Sequence, residues 1–361
     1  MFVKYFLGLI GLGRRDQTSV GVSDNQPSAS QTSIVPTSEG SSDDQSGVRL
    51  SSETDDSQGA SLVQSTTSQT SNRSFDIDPN SVIKKYSFPD ASGGLGDVYK
   101  CSLNRNTSLE EVAVKCPRFP SLGKAEIKKI NQNLHREISI WAKLEHQYVL
   151  PLHGTVKGFG PCRALVSPWM PNGTLNSYLL REDLTLTTMD KLHILKQITE
   201  GLKYLHNNDV IHGDLTSNNV LVAADGSPRL ADFGISNIMV ASNPAFSYHT
   251  GAVRWAAPEL IVLPEGQTVQ CATKFSDTYS LGCIMLQVLY GKLPYWWIKT
   301  ALQVVTLKFT NQEPINDTLE IQAHHLNFMR WCWSMKSESR PSVEEVLDFL
   351  EGAISNEATS T

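Results

Sequence analysis

Apolar residues recur at helical spacing in two long segments of the chain. The first stripe runs from residue 124 to 144 at steps of three or four and predicts an amphipathic helix carrying Ile127, Ile130, Leu134, Ile138, Trp141 and Leu144. The second stripe follows Thr187, which with Asp190 has the spacing of a capping box. Its periodicity predicts a helix whose buried face is formed by Leu192, Leu195, Ile198, Leu202 and Leu205.

Short apolar runs predict strands in the region around the first helix. We expect strands at 98–100, 112–115, 149–156 and 163–166, with a turn at 104–106 between the first two. Turn-forming residues at 167–173 then interrupt the pattern, which indicates a hinge between two lobes. Beyond it, helical runs alternate with turns to about residue 349. The pattern therefore predicts an α+β protein.

Composition divides the chain near residue 80. Residues 16–74 are dominated by Ser, Thr, Gln, Asp and Gly, and no aromatic residue occurs between Phe6 and Phe75. Such a segment buries too little apolar surface to offset its ordering entropy. We therefore expect residues 16–80 to be a disordered tail, and residues 354–361 to be a short C-terminal tail.

Residues 1–15 form a short apolar segment that ends in Arg14 and Arg15. A helix needs roughly 20 residues to span a bilayer, so this segment is too short to cross one unaided. A weak interfacial membrane anchor is one interpretation. The other interpretation is that this N-terminal segment has no functional role, and the sequence leaves both interpretations open.

Charge and cysteine usage exclude several classes of protein. The net charge of −6 provides no basic field for nucleic acid. The six cysteines are scattered without a Cys-x-x-Cys pair, which is typical of reduced thiols rather than of a disulfide framework or a zinc site. We therefore expect a cytoplasmic protein that does not bind nucleic acid.

Residues 212–221 (HGDLTSNNVL), followed by Asp232, Phe233 and Gly234, carry the candidate chemistry. Asp214, an asparagine five residues later at Asn219, and Asp232 are the groups needed for phosphoryl transfer. Asp214 is the candidate base that accepts the proton of a substrate hydroxyl. Asn219 and Asp232 are the candidate Mg²⁺ ligands that hold the metal against ATP.

A glycine-rich stretch and a lysine precede this motif. Ala91, Gly93, Gly94 and Gly96 stand in a predicted hairpin before Lys115, and glycines allow a backbone to approach phosphate oxygens. Lys115 is either a charge at a strand edge or a phosphate ligand. Glu137 lies on the apolar edge of the first helix, where a carboxylate needs a partner. We therefore expect a Lys115–Glu137 ion pair.

Over residues 82–352 the chain resembles a eukaryotic protein kinase of the tyrosine-kinase-like group, and Ala256-Ala257-Pro258-Glu259 and Ser339-Arg340-Pro341 fit that pattern. The resemblance implies a bilobal kinase fold, with a small five-stranded sheet and one helix above a larger helical lobe. The implied domain covers 81–353, divided into an N-terminal lobe at 81–167, a hinge at 168–172 and a C-terminal lobe at 173–353. It also implies ATP and Mg²⁺ as cofactors and a protein as substrate.

The resemblance assigns further roles. Gly93 and Gly96 cover the phosphates, and Lys115 contacts them. Adenine lies between Leu221 on one side and Val98 with Ala113 on the other. Ser167 lies at the back of the adenine pocket, and backbone groups near Met170 meet the adenine edge. Glu259 pairs with Arg340, and Asp277 anchors the backbone of the catalytic loop.

The chain departs from the family pattern at four positions. Ala91 replaces the first glycine of the hairpin. Gly213 replaces the arginine before the catalytic aspartate, which in the family receives a phosphate on the activation loop. Phosphorylation of the loop around Ser242, Ser247 and Thr250 is therefore expected to be dispensable for activity. Thr216 and Ala252 replace the lysine and threonine that usually meet beside the substrate hydroxyl in Ser/Thr kinases. We favour a Ser/Thr kinase. Tyrosine or dual specificity and a catalytically weak, nucleotide-binding scaffold remain alternatives, and oligomeric state is not predicted.

Overall fold

The computed structural model describes residues 75–93, 96–105, 108–117, 124–233, 252–261 and 271–360. Within the first long helix the side chains of 124–127, 129, 130, 133, 136 and 137 lie outside this description, as does that of Ser360. The loop carrying Ser242, Ser247 and Thr250 also lies outside it, together with Gly94 and the segments 1–15 and 16–74.

The N-terminal lobe is built on one antiparallel sheet. Its strands are β1 (Val82–Lys84), β2 (Ala91–Gly93), β3 (Gly96–Arg105), β4 (Ser108–Pro117), β5 (Gly154–Val156) and β6 (Ala164–Pro168). The order across the sheet is β1-β3-β4-β6-β5, with β2 also paired to β3. β1 and β2 pair with opposite ends of β3, as one interrupted outer strand, so the sheet has the five positions that the kinase fold implies.

The predicted strand at 149–156 is wrong over its first half. Only Gly154–Val156 is a strand, whereas Val149 forms an isolated bridge with Leu230 in the other lobe. Leu150 donates its N–H to the carbonyl of Leu230, and the carbonyl of Leu150 accepts from the indole of Trp141. These backbone groups therefore connect the two lobes instead of extending the sheet.

Residues 75–80 belong to the fold, so the predicted disorder of this part of 16–80 is wrong. The N–H of Thr155 donates to the carbonyl of Phe75 at 2.7 Å, and the N–H of Ile77 donates to the carbonyl of Thr155 at 2.8 Å. Asp76 pairs with the side chain of Arg163. The unpaired edge of β5 offers these backbone partners, and Phe75 and Ile77 pack on the apolar cores.

The helices follow the predicted periodicity. They are α1 (Lys124–Trp141), α2 (Leu175–Glu182), α3 (Thr188–Asn207), α4 (Lys274–Tyr290), α5 (Ala301–Phe309), α6 (Ala323–Cys332) and α7 (Val343–Ser360). The capping box of Thr187 and Asp190 is confirmed at the start of α3. α1 ends at Trp141 rather than near Leu144. α7 runs through most of the predicted tail at 354–361.

A second sheet, of two strands, lies in the C-terminal lobe directly after the loop of residues 212–219. β7 (Val220–Val222) and β8 (Pro228–Leu230) pair antiparallel, with Val220 opposite Leu230. The main core surrounds α3 and α4 and includes all five residues of the predicted apolar stripe on α3. Among the described residues, no helix has both the length and the apolar character needed to cross a membrane.

Candidate active site

A buried carboxylate fixes the backbone of the loop before β7. Asp277, on α4, accepts hydrogen bonds from the N–H groups of His212 and Gly213 at 2.9 and 2.8 Å, which confirms the predicted anchor. Its Oδ2 also lies 2.9 Å from Nε2 of His206, a partner that no sequence signal indicated. Gly213 has a φ of +75°, a left-handed conformation that glycine adopts without strain.

Asp214 and Asn219 contact each other directly across this loop. The Asn219 side-chain N–H₂ donates to the backbone carbonyl of Asp214 at 2.7 Å and to its carboxylate Oδ2 at 2.9 Å. The spacing of five residues therefore closes the loop into a compact turn. Both contacts use the amide nitrogen, so the amide oxygen of Asn219 is directed away from Asp214.

The β7–β8 hairpin brings Asp232 beside Asn219. Asn219 stands one residue before β7 and Asp232 two residues after β8, and the N–H of Ala231 donates to the carbonyl of Asn219 at 2.8 Å. Asp232 has a φ of +63°, which is uncommon for a residue other than glycine and is often found at functional sites. The two predicted metal ligands are therefore neighbours.

Lys115 on β4 reaches the same place from the N-terminal lobe. Its Nζ lies 2.5 Å from Oδ2 of Asp232, and both side chains are mostly buried, with 19% and 16% of their surfaces exposed. This ion pair was not predicted. The predicted partner Glu137 lies on α1, but its side chain is outside the described part of the protein, so the Lys115–Glu137 pair stays a prediction.

The oxygen atoms at this point suit a hard divalent cation. Mg²⁺ prefers carboxylate and amide oxygens and is usually held by one or two protein ligands together with substrate phosphates. Asp232 and Asn219 provide one oxygen ligand of each kind. Among the described residues, no three His, Cys, Asp or Glu side chains cluster as a self-contained metal site. The residues present therefore fit a cation that is shared with a phosphate ligand.

The glycine-rich hairpin is confirmed, and its two described glycines differ in how much space a side chain would find. Ala91 and Gly93 on β2 pair with Val98 and Gly96 on β3. A Cβ on Gly96, whose φ is +146°, would lie 2.1 Å from the carbonyl oxygen of Cys116, so close packing of β3 on β4 requires glycine there. A Cβ on Gly93 would meet nothing within 4 Å. Gly93 therefore leaves open space at the edge of the cleft.

The predicted adenine residues come from both lobes. Ala113 on β4 lies opposite Ser167 on β6, and Val98 lies opposite Lys115. Leu221 is the middle residue of β7. Its neighbours Val220 and Val222 are buried on one face, so Leu221 points to the opposite face and is only half-buried.

The hinge connects these elements. Ser167 is buried, and the partly buried Met170 packs against the main core. The chain then returns to the C-terminal lobe, where Asn172 and Gly173 exchange backbone hydrogen bonds with Val222.

The thiol next to Lys115 is not a nucleophile. Burial raises the pKa of Cys116 to about 12, so this side chain is a protonated core residue at neutral pH. Burial likewise lowers the pKa of His212, which keeps this imidazole neutral beneath the loop.

A second predicted ion pair stabilises the C-terminal lobe. Arg340 donates two parallel hydrogen bonds to Glu259 at 2.6 and 2.8 Å, which confirms that prediction. The Arg340 side chain is fully buried. The pair connects the short helix Pro258–Leu260 to the segment before α7.

A small cavity is lined by three of the four positions at which the chain departs from the family pattern. It has a volume of about 10 Å³, close to the space of one water molecule, and is lined by Gly213, Asp214, Thr216, Ala252, Ala256 and Leu260 among others. Thr216 uses its hydroxyl to accept from the N–H groups of Asn218 and Asn219, both at 3.3 Å. Thr216 and Ala252 therefore face a common void beside Asp214.

Comparisons with known proteins agree with this arrangement. Residues 91–349 match the family described as protein kinase domain. The chain is 31% identical over 283 residues to the L-type lectin-domain containing receptor kinase I.7 of Arabidopsis thaliana, covering 72% of this chain and 40% of that protein. It is 29% identical over 275 residues to the ephrin type-B receptor 1-A of Xenopus laevis, covering 74% of this chain and 26% of that receptor. It is also 29% identical over 234 residues to the human ephrin type-A receptor 5, covering 61% and 21%.

The chain spans less than half the length of each of these relatives. The family match itself covers well over half of the chain and includes every strand of the large sheet except β1, the Asp214 loop, the β7–β8 hairpin and most of the helices. This chain belongs to the protein kinase family.

Proposed function

We propose that this chain transfers the γ-phosphoryl group of ATP to a hydroxyl of a protein, with serine or threonine preferred, as a member of the tyrosine-kinase-like group. The observation that carries the proposal is the meeting of two side-chain pairs: Asn219 bonds Asp214, Lys115 bonds Asp232, and the N–H of Ala231 beside Asp232 donates to the carbonyl of Asn219. These groups come from two lobes and three segments, which are β4, the loop before β7 and the residues after β8. A purely structural role does not require all of them to meet.

Asp214 is the proposed base. Its carboxylate accepts one hydrogen bond from Asn219, which orients it. It is proposed to accept the proton of the substrate hydroxyl as that oxygen bonds the γ-phosphorus and the bond from the γ-phosphorus to the bridging oxygen breaks, so that ADP leaves. The backbone of its loop is held by Asp277, so Asp214 needs little rearrangement when substrate arrives.

The nucleotide is proposed to lie between the lobes. Lys115 has its ammonium where it can donate to phosphate oxygens, and the hairpin at 91–98 covers them with backbone N–H groups. Asn219 and Asp232 are the proposed ligands of Mg²⁺, which when bound neutralises charge that develops on the transferred group. Val98, Ala113 and Leu221 are the proposed apolar contacts of adenine, with Ser167 and Met170 at the hinge.

The domain limits are part of the same proposal. The kinase domain is proposed to cover about 81–353, with the hinge at 168–172, although the described fold includes 75–80 and continues to Ser360. A protein substrate and a cytoplasmic location follow from the same proposal.

The direct test is transfer of radiolabelled γ-phosphate to a generic protein acceptor by the full chain and by Asp214→Ala. We expect wild-type transfer that depends on Mg²⁺ and a loss of at least about a hundredfold in the variant, because the base is removed. A matched control is Asp225→Asn, which changes a carboxylate in the β7–β8 turn that bonds Ser227 locally. Wild-type protein that binds ATP but transfers nothing would favour the scaffold alternative.

Tyrosine or dual specificity is the second candidate. The observation that favours it is the cavity beside Asp214, where Thr216 and Ala252 stand in place of the lysine–threonine contact of Ser/Thr kinases. Phosphoamino-acid analysis after autophosphorylation distinguishes the alternatives. Phosphoserine and phosphothreonine alone support the first candidate, and phosphotyrosine supports the second.

A further inference from the structure

Lys308 is a lysine in the last turn of α5 that is almost completely removed from water, with 1% of its surface exposed. Its ammonium donates to the carbonyl of Ala256 at 2.6 Å, to that of Arg254 at 3.2 Å and to the hydroxyl of Tyr279 at 3.2 Å. It also lies over the rings of Tyr279 and Tyr295, 4.7 and 4.9 Å from their centroids. Burying an ammonium costs free energy, and these hydrogen-bond and ring contacts offset part of that cost.

These bonds hold one short stretch of backbone, residues 252–256, which we call the acceptor segment. Between the two carbonyls bound by Lys308 lies that of Trp255, which accepts from the hydroxyl of Ser280 at 3.0 Å. Three consecutive carbonyls of the acceptor segment therefore accept hydrogen bonds from side chains of α4 and α5.

The side chain of Arg254 adds a further link. Its guanidinium donates to the carbonyls of Pro294, Tyr295 and Ile298, in the loop between α4 and α5. The acceptor segment is thus connected to both helices and to the loop that joins them.

The acceptor segment also borders the catalytic loop. Ala252 and Ala256 line the same small cavity as Asp214 and Thr216. A protein acceptor whose hydroxyl reaches Asp214 therefore lies beside this segment. A small displacement of the segment would change the distance and angle at which the hydroxyl approaches the base.

We infer that Lys308 is a positioning residue for the protein acceptor: through the carbonyls of Arg254 and Ala256 it sets where the acceptor segment stands relative to Asp214. This inference rests on the proposed function, because it assigns a role within protein phosphorylation. Lys308 itself touches neither nucleotide nor acceptor.

The chemistry of the site explains why a lysine occupies it. The three groups around Nζ are oxygens, and an ammonium offers three donors and no acceptor. A methionine of similar length fills the space but leaves the carbonyls of Arg254 and Ala256 without this donor. The acceptor segment then loses two of its attachments to α5 while the apolar packing around it remains.

A purely structural lysine is the competing interpretation, and it makes a different prediction. A general loss of structure would impair every reaction of the active site equally. A positioning role affects transfer to protein but spares transfer to water, because ATP hydrolysis uses Lys115, Asp214, Asn219 and Asp232 without an acceptor protein bound beside residues 252–256.

The test uses the full chain with Lys308→Met and measures two reactions, phosphate transfer to dephosphorylated casein and ATP hydrolysis without a protein acceptor. We expect kcat/KM for casein to fall at least about tenfold, because misplacement of a reacting group by a fraction of an ångström is felt strongly. We expect the hydrolysis rate and the KM for ATP to change less than about twofold. The matched control is Leu350→Ala, which removes a buried side chain of α7, a helix that is far from residues 252–256 in sequence and packs chiefly on α3.

Leu350→Ala should lower the melting temperature without changing the ratio of the two reactions. A second variant, Ser280→Ala, removes the hydroxyl bound to Trp255 without leaving a large void, and we expect a selective fall of about threefold in transfer to casein. This variant decides the question if Lys308→Met does not fold. Equal losses in both reactions, or no loss in either, would overturn the inference. Wild-type protein that hydrolyses ATP but phosphorylates no protein would overturn the proposed function instead, and the inference with it.

Discussion

The nucleotide side and the acceptor side of the cleft are stabilised in different ways. On the nucleotide side, side chains bind one another: Lys115 pairs with Asp232, and Asn219 bonds Asp214. Of these groups, Lys115, Asp214 and Asp232 retain partial contact with solvent, whereas Asn219 is buried. On the acceptor side, buried side chains bind backbone carbonyls, and Lys308 is closed off from water.

The difference follows from what each side must do. Groups that meet a ligand exchange their partners when it binds, so pairs between side chains near solvent suit them. Backbone that must stay in place is best held by donors that have no alternative partner in water. Substitutions on the nucleotide side should therefore remove activity with little effect on the fold. Substitutions behind the acceptor side should affect stability and acceptor use.

The largest expected effect is that of Asp232→Asn on the nucleotide side. It removes a charged oxygen ligand and the partner of Lys115, so we expect phosphate transfer and ATP hydrolysis both to fall by at least about a hundredfold. The melting temperature should change by only a few degrees, because the side chain is partly exposed. Steady-state assays over a range of Mg²⁺ concentrations measure this. ATP turnover that persists in the variant would contradict the metal assignment.

The next effect is on stability, from Glu259→Ala behind the acceptor side. It leaves the fully buried Arg340 guanidinium without its carboxylate, and breaking a buried pair costs about 3–5 kcal/mol. The matched control is Glu313→Ala, which breaks the exposed pair with Arg330 and should cost less than about 1 kcal/mol. Urea unfolding measures both. Equal costs would remove the distinction between buried and exposed pairs.

The two described glycines of the hairpin give the third test. Gly96→Ala places a Cβ against the Cys116 carbonyl in a backbone conformation unfavourable to alanine, and we expect a loss of about 3 kcal/mol. Gly93→Ala should change the free energy of unfolding by less than about 0.5 kcal/mol, because its surroundings are open. Both values come from urea unfolding. A stable Gly96→Ala protein would show that β3 can shift on β4.

Much of the nucleotide side was predictable from the sequence, because its residue types and spacings are dictated by chemistry. The glycine-rich hairpin and the anchor Asp277 occur where they were expected. The hydrogen bonds from Asn219 to Asp214 were not predicted, although both residues were assigned to the site. The long helices were also predictable, since their apolar faces repeat over several turns. The Lys115–Asp232 contact was not predicted, although Lys115 was assigned to the phosphates and Asp232 to the metal held against them.

The remaining features depend on contacts between distant segments. Residues 75–80 lack a strong apolar pattern, and they are ordered because β5 offers a free edge. Residues 149–153 have a strand-like composition, but the backbone groups of Val149 and Leu150 bind the β7–β8 hairpin and Trp141. Lys308 follows the common rule that a basic residue stands in the last turn of a helix. Its burial is decided by residues of other segments, among them Arg254, Ala256 and Tyr279, so no local signal marks it.

The smallest expected effect concerns Lys308 and pH. Burial lowers the pKa of Lys308 from 10.5 to about 8. Between these values the unfolded chain binds the proton and the folded chain has released it, so this residue makes the fold more stable as pH rises from about 8 to about 10. Lys308→Met has no such proton. The stability of wild type relative to the variant should therefore increase by roughly 1 kcal/mol per pH unit in this window and stay constant below it.

Unfolding in urea at pH 6.5, 7.5, 8.5 and 9.5 measures this difference directly. Subtraction of the two proteins removes the titration of groups that both contain, including those that face Lys308 from the surrounding elements, which are Tyr279, Cys283, Glu259, Tyr295 and Arg340. Parallel stability curves across the whole range would mean that the Lys308 ammonium keeps an ordinary pKa. The acceptor segment would then be held by a lysine in contact with water, and the contrast between the two sides of the cleft would be weaker than the geometry indicates.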